Sequence, residues 1–303
     1  MKIGARKMTN KVLVTGGNGF LGLNIVCQLL KDKYVVRTTL RSLEKKATVI
    51  QTLKEQGLKE ELSNLEFIQA DLQSDKNWNQ AMAGIDYVIS VASPVFFGKV
   101  DDEQKAIQPA VQGITRIIMF AQKAGVKRIV MTANFGAVGF SNKDKNSITT
   151  EKDWTNVNEK GLSLYEKSKA IAEQKAWKLI NDPKNKVEFT TVNAVAMLGP
   201  SLDGHISGSF SILNNILNGS MKRIPQIELN VVDVRDVAKM HILAMTNPKA
   251  AGQRFIASAD GKISMPEIAR LIRSKRPKLA DKIPTKVMPN WLINIAASFN
   301  QTA

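Results

Sequence analysis

The stretch that decides the fold is Val14-Thr15-Gly16-Gly17-Asn18-Gly19-Phe20-Leu21-Gly22. Residues 11–15, at its start, form a short, β-branched pattern that is typical of a buried strand. Residues 20–31, at its end, have the apolar spacing of a helix. The sequence therefore predicts that a strand runs into a turn of the form Gly-x-x-Gly-x-x-Gly and then directly into a helix.

Dinucleotide binding requires this order of strand, glycine turn and helix. The first glycine, Gly16, makes the tight turn, the second, Gly19, lets the backbone approach a pyrophosphate, and the third, Gly22, lets the helix pack closely on the strand. The amino end of the helix then faces the phosphates. The residues predicted to hold the cofactor here are Gly16, Gly19, Phe20, Leu21 and Gly22. A tight glycine turn without a ligand is the alternative interpretation.

Strand patterns alternate with helical patterns through the first two-thirds of the chain. Further strand patterns lie at residues 34–40, 65–69, 86–91, 128–132 and 187–195, and the notable helical patterns lie at 102–124 and 163–180. Strands separated by helices are joined by right-handed crossovers and pair in parallel. The sequence therefore predicts an α/β fold with a doubly wound parallel sheet of the Rossmann type.

The composition changes at Leu198-Gly199-Pro200, after which the chain becomes richer in Gly, Ser and Asn. We predict a Rossmann domain that binds the dinucleotide over residues 10–198 and a smaller C-terminal substrate lobe. The lobe comprises residues 199–230 and 261–303, and between them the chain returns to the sheet domain at about 231–260. The return is predicted because residues 231–234 are strand-like and Asp236 is placed to cap a helix. The apolar composition of the lobe predicts an apolar or mixed pocket.

Composition excludes several classes of protein. One cysteine, Cys27, and two histidines, His205 and His241, leave no disulfide and too few ligands for a structural zinc site, so we expect no metal. Residues 1–10 lack the apolar core of a signal peptide, and the apolar stretch at 291–299 is too short to span a bilayer. We expect a cytoplasmic protein with no membrane partner.

The net charge of +16 raises the question of a polyanionic partner. The basic residues are spread along the whole length, their short runs are not interleaved with aromatic residues, and no nucleic-acid-binding motif accompanies them. We interpret the charge as a solvated surface that modestly attracts anionic ligands, and we expect no nucleic-acid partner.

The end of the second strand pattern distinguishes NADP from NAD. NAD enzymes place Asp or Glu there for the ribose 2′-hydroxyl, whereas an arginine accommodates the 2′-phosphate of NADP. Here the sequence is Thr38-Thr39-Leu40-Arg41-Ser42, with Lys45 one helical turn later and no acidic residue at the strand tip. Two cations and a hydroxyl favour a phosphate dianion. The sequence thus predicts NADPH or NADP as the cofactor, with Arg41 and Lys45 among its ligands; a solvated arginine is the alternative.

Tyr165 and Lys169 lie four residues apart in a helical pattern and therefore share one helix face. The same face continues through Ala172, Ala176 and Leu179, so the lysine points inward, which is costly unless the charge is paired or functional. An ammonium beside the phenol would stabilise the phenolate and lower the tyrosine pKa from about 10. The pattern predicts Tyr165 as the general acid for a carbonyl oxygen.

With these motifs the chain resembles the extended short-chain dehydrogenase/reductases of the NAD-dependent epimerase/dehydratase superfamily, and within them the dihydroflavonol reductase-like branch. The resemblance covers about residues 11–260 and rests on residues 15–22, Arg41, Ala70-Asp71-Leu72, 91–95, 165–169, 198–200 and 232–238. By this resemblance Asp71 and Leu72 flank the adenine of the cofactor. The resemblance also implies that Ala92 and Ser93 lie along the cofactor and that Lys169 holds its nicotinamide ribose.

The sequence departs from the family pattern in two places. The family has a catalytic serine or threonine just after the fifth strand, where this chain has Asn134, with Thr132 two residues earlier. An amide donates a hydrogen bond to a carbonyl oxygen but does not relay a proton as a hydroxyl does. The candidate catalytic residues are therefore Tyr165, Lys169 and either Asn134 or Thr132. Relatives also continue beyond the position of Ala303, so we expect the lobe to be incomplete at the C-terminus.

The predicted function is NADPH-dependent reduction of a small aldehyde or ketone, with Tyr165 as the proton donor. A sugar-nucleotide epimerase or dehydratase is one alternative, but it would prefer NAD, which conflicts with Arg41, and such enzymes usually carry small residues in place of Ser93-Pro94. A non-catalytic NADP-binding regulator is the other, favoured by Asn134 and the basic surface. The expected partner is a small-molecule carbonyl substrate, bound by a monomer or homodimer.

Overall fold

The computed structural model describes residues 10–93, 102–144, 146–219 and 221–289. Predictions that concern residues 1–9, Pro94, Val95 and the end of the substrate lobe from residue 290 onward lie outside the described residues.

In the first two-thirds of the chain, strands and helices alternate. The elements are β1 (Lys11–Thr15), α1 (Phe20–Lys31), β2 (Val35–Leu40), α2 (Lys46–Glu55), β3 (Leu65–Gln69), α3 (Trp78–Met82), β4 (Tyr87–Ser90), α4 (Glu103–Ala124), β5 (Arg128–Asn134), α5 (Leu164–Ile180) and β6 (Glu188–Ala194). The predicted boundaries hold to within two residues. The largest difference is at β5, which continues past Thr132, so that Asn134 is the last residue of the strand.

The remaining elements are shorter. They are β7 (Ala196–Leu198), α6 (Phe210–Leu217), β8 (Ile224–Pro225), β9 (Glu228–Leu229), β10 (Val231–Asp233), α7 (Val234–Thr246), β11 (Arg254–Ala257), β12 (Ile263–Ser264), α8 (Met265–Lys275) and β13 (Val287–Met288). The prediction that Asp236 caps α7 is wrong. Asp233 is the N-cap and accepts a hydrogen bond from the Arg235 amide, because β10 ends there and Asp236 already lies in the first turn.

Seven strands form one parallel sheet in the order β3-β2-β1-β4-β5-β6-β11. The order reverses between β1 and β4, which places the topological switch point beside the glycine turn. Because all strands are parallel, their carboxyl ends meet at the same edge of the sheet. This arrangement confirms the predicted doubly wound Rossmann fold.

Helices cover both faces of the sheet. One apolar cluster joins α1, α2 and α7 to one face, and a second joins α3, α4 and α5 to the other. A third, separate cluster forms around Ile216, Ile224, Met265, Ile268 and Ile283, where α6, β8 and α8 pack together. None of the helices in these described parts of the chain has the length and apolarity needed to cross a bilayer.

Candidate active site

The glycine turn brings β1 and α1 so close together that side chains are excluded. Gly16 has a φ of +71°, in the left-handed region. A Cβ on Gly22 would lie 2.2 Å from the Gly16 carbonyl oxygen, and a Cβ on Gly17 would lie 2.0 Å from Thr38 Oγ1. Gly17, to which the sequence pattern alone gives no role, is therefore as tightly constrained as the glycines of the motif.

The amino end of α1 is open to an anion. Its N-cap is Gly19, and the first turn of this helix contains no acidic residue. The first amides of a helix have no partner within the helix, so the N–H groups of Phe20, Leu21 and Gly22 are available to a phosphate. These are the residues that the sequence predicts for the pyrophosphate.

Thr15 joins the glycine turn to the end of β4. Its hydroxyl oxygen accepts hydrogen bonds from the Val91 and Ala92 amides, both at 2.9 Å. This places Ala92 directly against the turn, since a Cβ on Gly16 would lie 3.0 Å from Ala92 Cβ. The sequence pattern alone assigns Thr15 no structural role. The feature that indicates one is a hydroxyl residue at the end of a mainly apolar strand.

Asp71 and Leu72 lie in the loop after β3, and the side chains of Trp78 and Arg116 hold their backbone. The Trp78 indole N–H donates to the Asp71 carbonyl at 2.9 Å, and the Arg116 guanidinium donates to the Leu72 carbonyl. The Leu72 side chain packs on α4, 3.3 Å from the position that a Cβ on Gly113 would take. These contacts fix the position of the loop at the carboxyl end of β3.

Arg41 and Lys45 lie just beyond β2 with exposed side chains. Among the described residues, neither cation has a hydrogen-bond or ion-pair partner for its side chain. Arg37, by contrast, is occupied by an ion pair with Glu66 at 2.8 Å. The two cations at the strand tip are thus free for an anionic ligand.

Tyr165 and Lys169 lie on α5, which begins in a capping box formed by Ser163 and Glu166. The Lys169 ammonium lies 5.3 Å from the centroid of the Tyr165 ring, and the tyrosine side chain is 42 % exposed. Lys169 also borders a cavity of about 20 Å³ together with Leu72, Ala92, Ser93 and Thr132. The fold therefore brings residues from β3, β4, β5 and α5 to one place.

Burial shifts the protonation equilibria of this pair. It lowers the pKa of Lys169 to about 8, and no carboxylate among the described residues pairs with the ammonium. It raises the pKa of Tyr165 above its usual value, and the Glu166 carboxylate adds to that rise. The prediction of a lowered tyrosine pKa is therefore wrong here, because the ammonium lies over the ring face and does not offset the cost of burying a phenolate.

Asn134 and Thr132, the two candidate donors, have different surroundings. Asn134 Oδ1 accepts a hydrogen bond from the Gly136 amide at 2.7 Å, and the Asn134 NH2 group has no partner among the described residues. Thr132 Oγ1 lies 2.8 Å from Nε2 of His241, and His241 Nδ1 lies 2.7 Å from the Val237 carbonyl. Since a carbonyl only accepts, Nδ1 carries the hydrogen and Nε2 accepts the single hydroxyl proton of Thr132.

The turn after β5 packs on the first turn of α5. A Cβ on Gly136 would lie 2.7 Å from Asn134 Oδ1 and 3.1 Å from Glu166 Cγ. This contact places Asn134 next to the helical turn that carries Tyr165.

The predicted site residues that the structure describes lie at the carboxyl end of β5, follow the carboxyl ends of other strands, or lie on α1 and α5 at that same edge. A larger open cavity of about 440 Å³, with Glu103, Val157 and Lys167 in its lining, borders the first turn of α5 and is lined by none of the predicted site residues. Within the described ranges, no group of three or more His, Cys, Asp and Glu side chains is placed to hold a metal ion.

Comparison with known proteins identifies the family. The model of the 3-beta hydroxysteroid dehydrogenase/isomerase family matches residues 13–260. The chain belongs to this family. It is thus an extended short-chain dehydrogenase/reductase, and its relatives confirm the resemblance to the dihydroflavonol reductase-like branch.

The family relatives include reductases from plants and yeast. Anthocyanidin reductase from Vitis vinifera is 30 % identical over 287 residues, covering 90 % of this chain and 82 % of the relative. Cinnamoyl-CoA reductase 1 from Arabidopsis thaliana is 35 % identical over 254 residues, covering 82 % of this chain and 70 % of the relative. The yeast methylglyoxal/isovaleraldehyde reductase Gre2, solved in complex with NADPH, superposes with a TM-score of 0.80 at 29 % identity, covering 91 % of this chain and 85 % of Gre2.

Proposed function

We propose that the chain is an NADPH-dependent reductase of small aldehydes or ketones, in which Tyr165 donates a proton to the carbonyl oxygen. The observation that carries this proposal is the pairing of Tyr165 with Lys169 at the same sheet edge as the open amino end of α1. The named relatives, which reduce anthocyanidins, cinnamoyl-CoA or small aldehydes, support the same class of reaction.

The residues at this edge fit NADPH. The amides at the amino end of α1 are available to a pyrophosphate, and the unpaired side chains of Arg41 and Lys45 complement a 2′-phosphate. Asp71, Leu72, Ala92 and Ser93 would flank the rest of the cofactor, and Lys169 would hold the nicotinamide ribose. When bound, NADPH supplies the hydride that reduces the carbonyl carbon.

Tyr165 and Lys169 divide the proton chemistry between them. A tyrosine pKa above 10 keeps the phenol protonated at neutral pH, which is the form that a proton donor needs. As the carbonyl carbon gains a hydride, the phenol O–H bond breaks and the alcohol O–H bond forms. The Lys169 ammonium, still mostly protonated at pH 7, stabilises the phenolate that remains. The exposed tyrosine then regains its proton from solvent.

Asn134, and not Thr132, is the second donor in this proposal. The hydroxyl proton of Thr132 is already donated to His241. The side-chain oxygen Oδ1 of Asn134 accepts a hydrogen bond from the Gly136 amide. This leaves the side-chain NH2 group to polarise the substrate oxygen. An amide that only polarises is sufficient, because the transferred proton comes from Tyr165.

The substrate lobe comprises residues 199–230 and 261–303 in this proposal, and the cofactor domain comprises 10–198 with 231–260. The separate apolar cluster of α6, β8 and α8 supports this division. An apolar substrate lobe favours carbonyl compounds with an apolar substituent.

The test is a titration with NADPH and NADH, followed by a panel of aldehydes, diketones and aromatic ketones monitored by NADPH absorbance. We expect preferential NADPH binding and turnover of at least one carbonyl. Tyr165→Phe should keep the wild-type NADPH affinity and lower kcat at least about 100-fold. The control variant Tyr34→Phe, at the opposite edge of the sheet, should keep both the NADPH affinity and kcat of the wild type. Tight NADPH binding with no turnover would instead support a regulator, and NAD retained through purification would support an epimerase.

A further inference from the structure

A fully buried carboxylate lies one helical turn beyond Lys169. Glu173, on α5, is 0 % exposed. Its Oε1 accepts hydrogen bonds from Arg254 Nε at 2.8 Å and the Thr191 hydroxyl at 3.0 Å, and its Oε2 accepts one from Asn193 Nδ2 at 2.7 Å. The carboxylate thus ties the catalytic helix to strands β6 and β11.

The arginine of this ion pair holds the segment that leads into α5. Arg254 NH1 donates to the Glu151 carbonyl at 2.9 Å and the Asp153 carbonyl at 2.6 Å. Its guanidinium carbon also lies 3.6 Å from the centroid of the Trp154 ring. The position of α5 is therefore fixed both from the segment that precedes it and from its own third turn.

Asn193 connects the same carboxylate to the proposed second donor. Besides its bond to Glu173, its Nδ2 group donates to the Asn134 backbone carbonyl at 3.3 Å. Asn193 is 0 % exposed, so no solvent competes for either bond. One amide thus links the helix that carries Tyr165 to the strand end that carries Asn134.

We propose that Glu173 and Asn193 are positioning residues that hold Asn134 in register with Tyr165. A purely stabilising role is the weaker explanation, because a buried ion pair adds little stability over an apolar replacement of the same volume. The catalytic part of this inference rests on the proposed reductase function. The geometric part, that Asn193 orders the end of β5, does not.

The test compares Asn193→Ser with Thr190→Val. Serine is too short to reach both Glu173 and Asn134. Thr190 lies on the same strand, is 0 % exposed and donates to the Gln253 carbonyl at 2.8 Å, so Thr190→Val removes an equally buried hydrogen bond outside the network. The measurements are kcat and KM for the carbonyl substrate, the NADPH Kd, the melting temperature, and hydrogen exchange of the Gly136 amide, which is bonded to Asn134 Oδ1.

We expect Asn193→Ser to lower kcat at least tenfold with an NADPH Kd within twofold of wild type, and to speed exchange of the Gly136 amide. Thr190→Val should lower the melting temperature comparably and leave kcat and that exchange rate unchanged. Equal effects of the two variants on kcat, or an unchanged Gly136 exchange rate in Asn193→Ser, would overturn the inference. If the wild type reduces no carbonyl, the proposed function fails, and Gly136 exchange alone still decides whether Asn193 orders Asn134.

Should Asn193→Ser fail to fold, Glu173→Gln provides the second variant, because it keeps the side-chain volume and an acceptor for Asn193. We expect Glu173→Gln to lower kcat less than Asn193→Ser does and, like it, to leave the NADPH Kd close to that of the wild type. A Glu173→Gln protein that is folded and has wild-type kcat and Gly136 exchange would overturn the role of Glu173.

Discussion

Among single residues, Lys169 lowers the stability of the fold through the same ammonium group that the proposed reaction needs. A pKa of about 8 in the folded chain, against about 10.5 when unfolded, means that the ammonium costs the fold about 3 kcal/mol at neutral pH. Between pH 8 and 10.5 the unfolded chain binds this proton and the folded chain does not, so the cost fades as the pH rises. Lys169→Met should therefore be more stable than wild type at pH 7, and this advantage should shrink by about 3 kcal/mol once the pH exceeds 10.5.

The measurement is urea unfolding of the cofactor-free protein at several pH values, with Lys178→Met on an exposed position of α5 as the control. The same variant should lose most turnover, and wild-type kcat should fall as the pH rises through about 8, because the ammonium is lost. A Lys169→Met protein that is less stable than wild type at pH 7 would contradict the argument.

Replacing Asn134 should lower kcat, whereas replacing Thr132 should lower the stability of the fold. Asn134→Ala should lower kcat by about two orders of magnitude, the usual effect of losing a preorganised donor at a developing oxyanion, with little effect on NADPH affinity. Thr132→Val should leave kcat near wild type and destabilise the fold by about 1–3 kcal/mol, because it leaves His241 Nε2 buried without a donor. Steady-state kinetics and thermal unfolding distinguish the two, and a damaging Thr132→Val with a silent Asn134→Ala would reverse the assignment.

At the scale of elements, the turn between β1 and α1 depends on two glycines for different reasons. A Cβ on Gly17 meets the Thr38 side chain, whereas a Cβ on Gly22 meets the Gly16 backbone. Both Gly17→Ala and Gly22→Ala should weaken NADPH binding and destabilise the fold by about 1–3 kcal/mol, as overpacking does. Adding Thr38→Ala should recover part of the loss for Gly17→Ala and none for Gly22→Ala, as measured by thermal unfolding and NADPH titration. If Thr38→Ala restored stability and NADPH affinity equally in both glycine variants, the two different clashes would not be the cause of the losses.

At the scale of the whole molecule, the net charge of +16 attracts any anion, so a general field must be distinguished from a specific phosphate contact. Arg41→Asp and Lys59→Asp change the net charge equally, but Lys59 precedes β3 and lies at the opposite edge of the sheet. Arg41→Asp should weaken NADPH about ten- to a hundred-fold and spare NADH. Lys59→Asp should change both affinities little at physiological salt. Equal losses for the two variants would indicate a general field, as fluorescence titrations would show.

Local sequence patterns were sufficient to predict the architecture, and they also predict where the cofactor binds. The strand, glycine turn and helix around Gly16, the alternation of strands and helices, and the i, i+4 spacing of Tyr165 and Lys169 are all local patterns. Local patterns report on periodicity and on backbone conformations that only glycine adopts easily, and these fix secondary structure and the crossovers between parallel strands. Arg41 is predicted as a cofactor ligand for the same reason, because the residue after β2 lies at the carboxyl edge of the sheet.

The tertiary structure shows which of the candidate groups already have hydrogen-bond partners. The choice between Asn134 and Thr132 depends on His241, which lies 109 residues away from Thr132 in sequence. The need for Gly17 depends on Thr38 of the neighbouring strand, and the raised pKa of Tyr165 depends on the desolvation of its phenol group by the surrounding residues. Hydrogen-bond direction, steric clearance and desolvation are set by residues that are distant in sequence and adjacent in space, so no local pattern contains them.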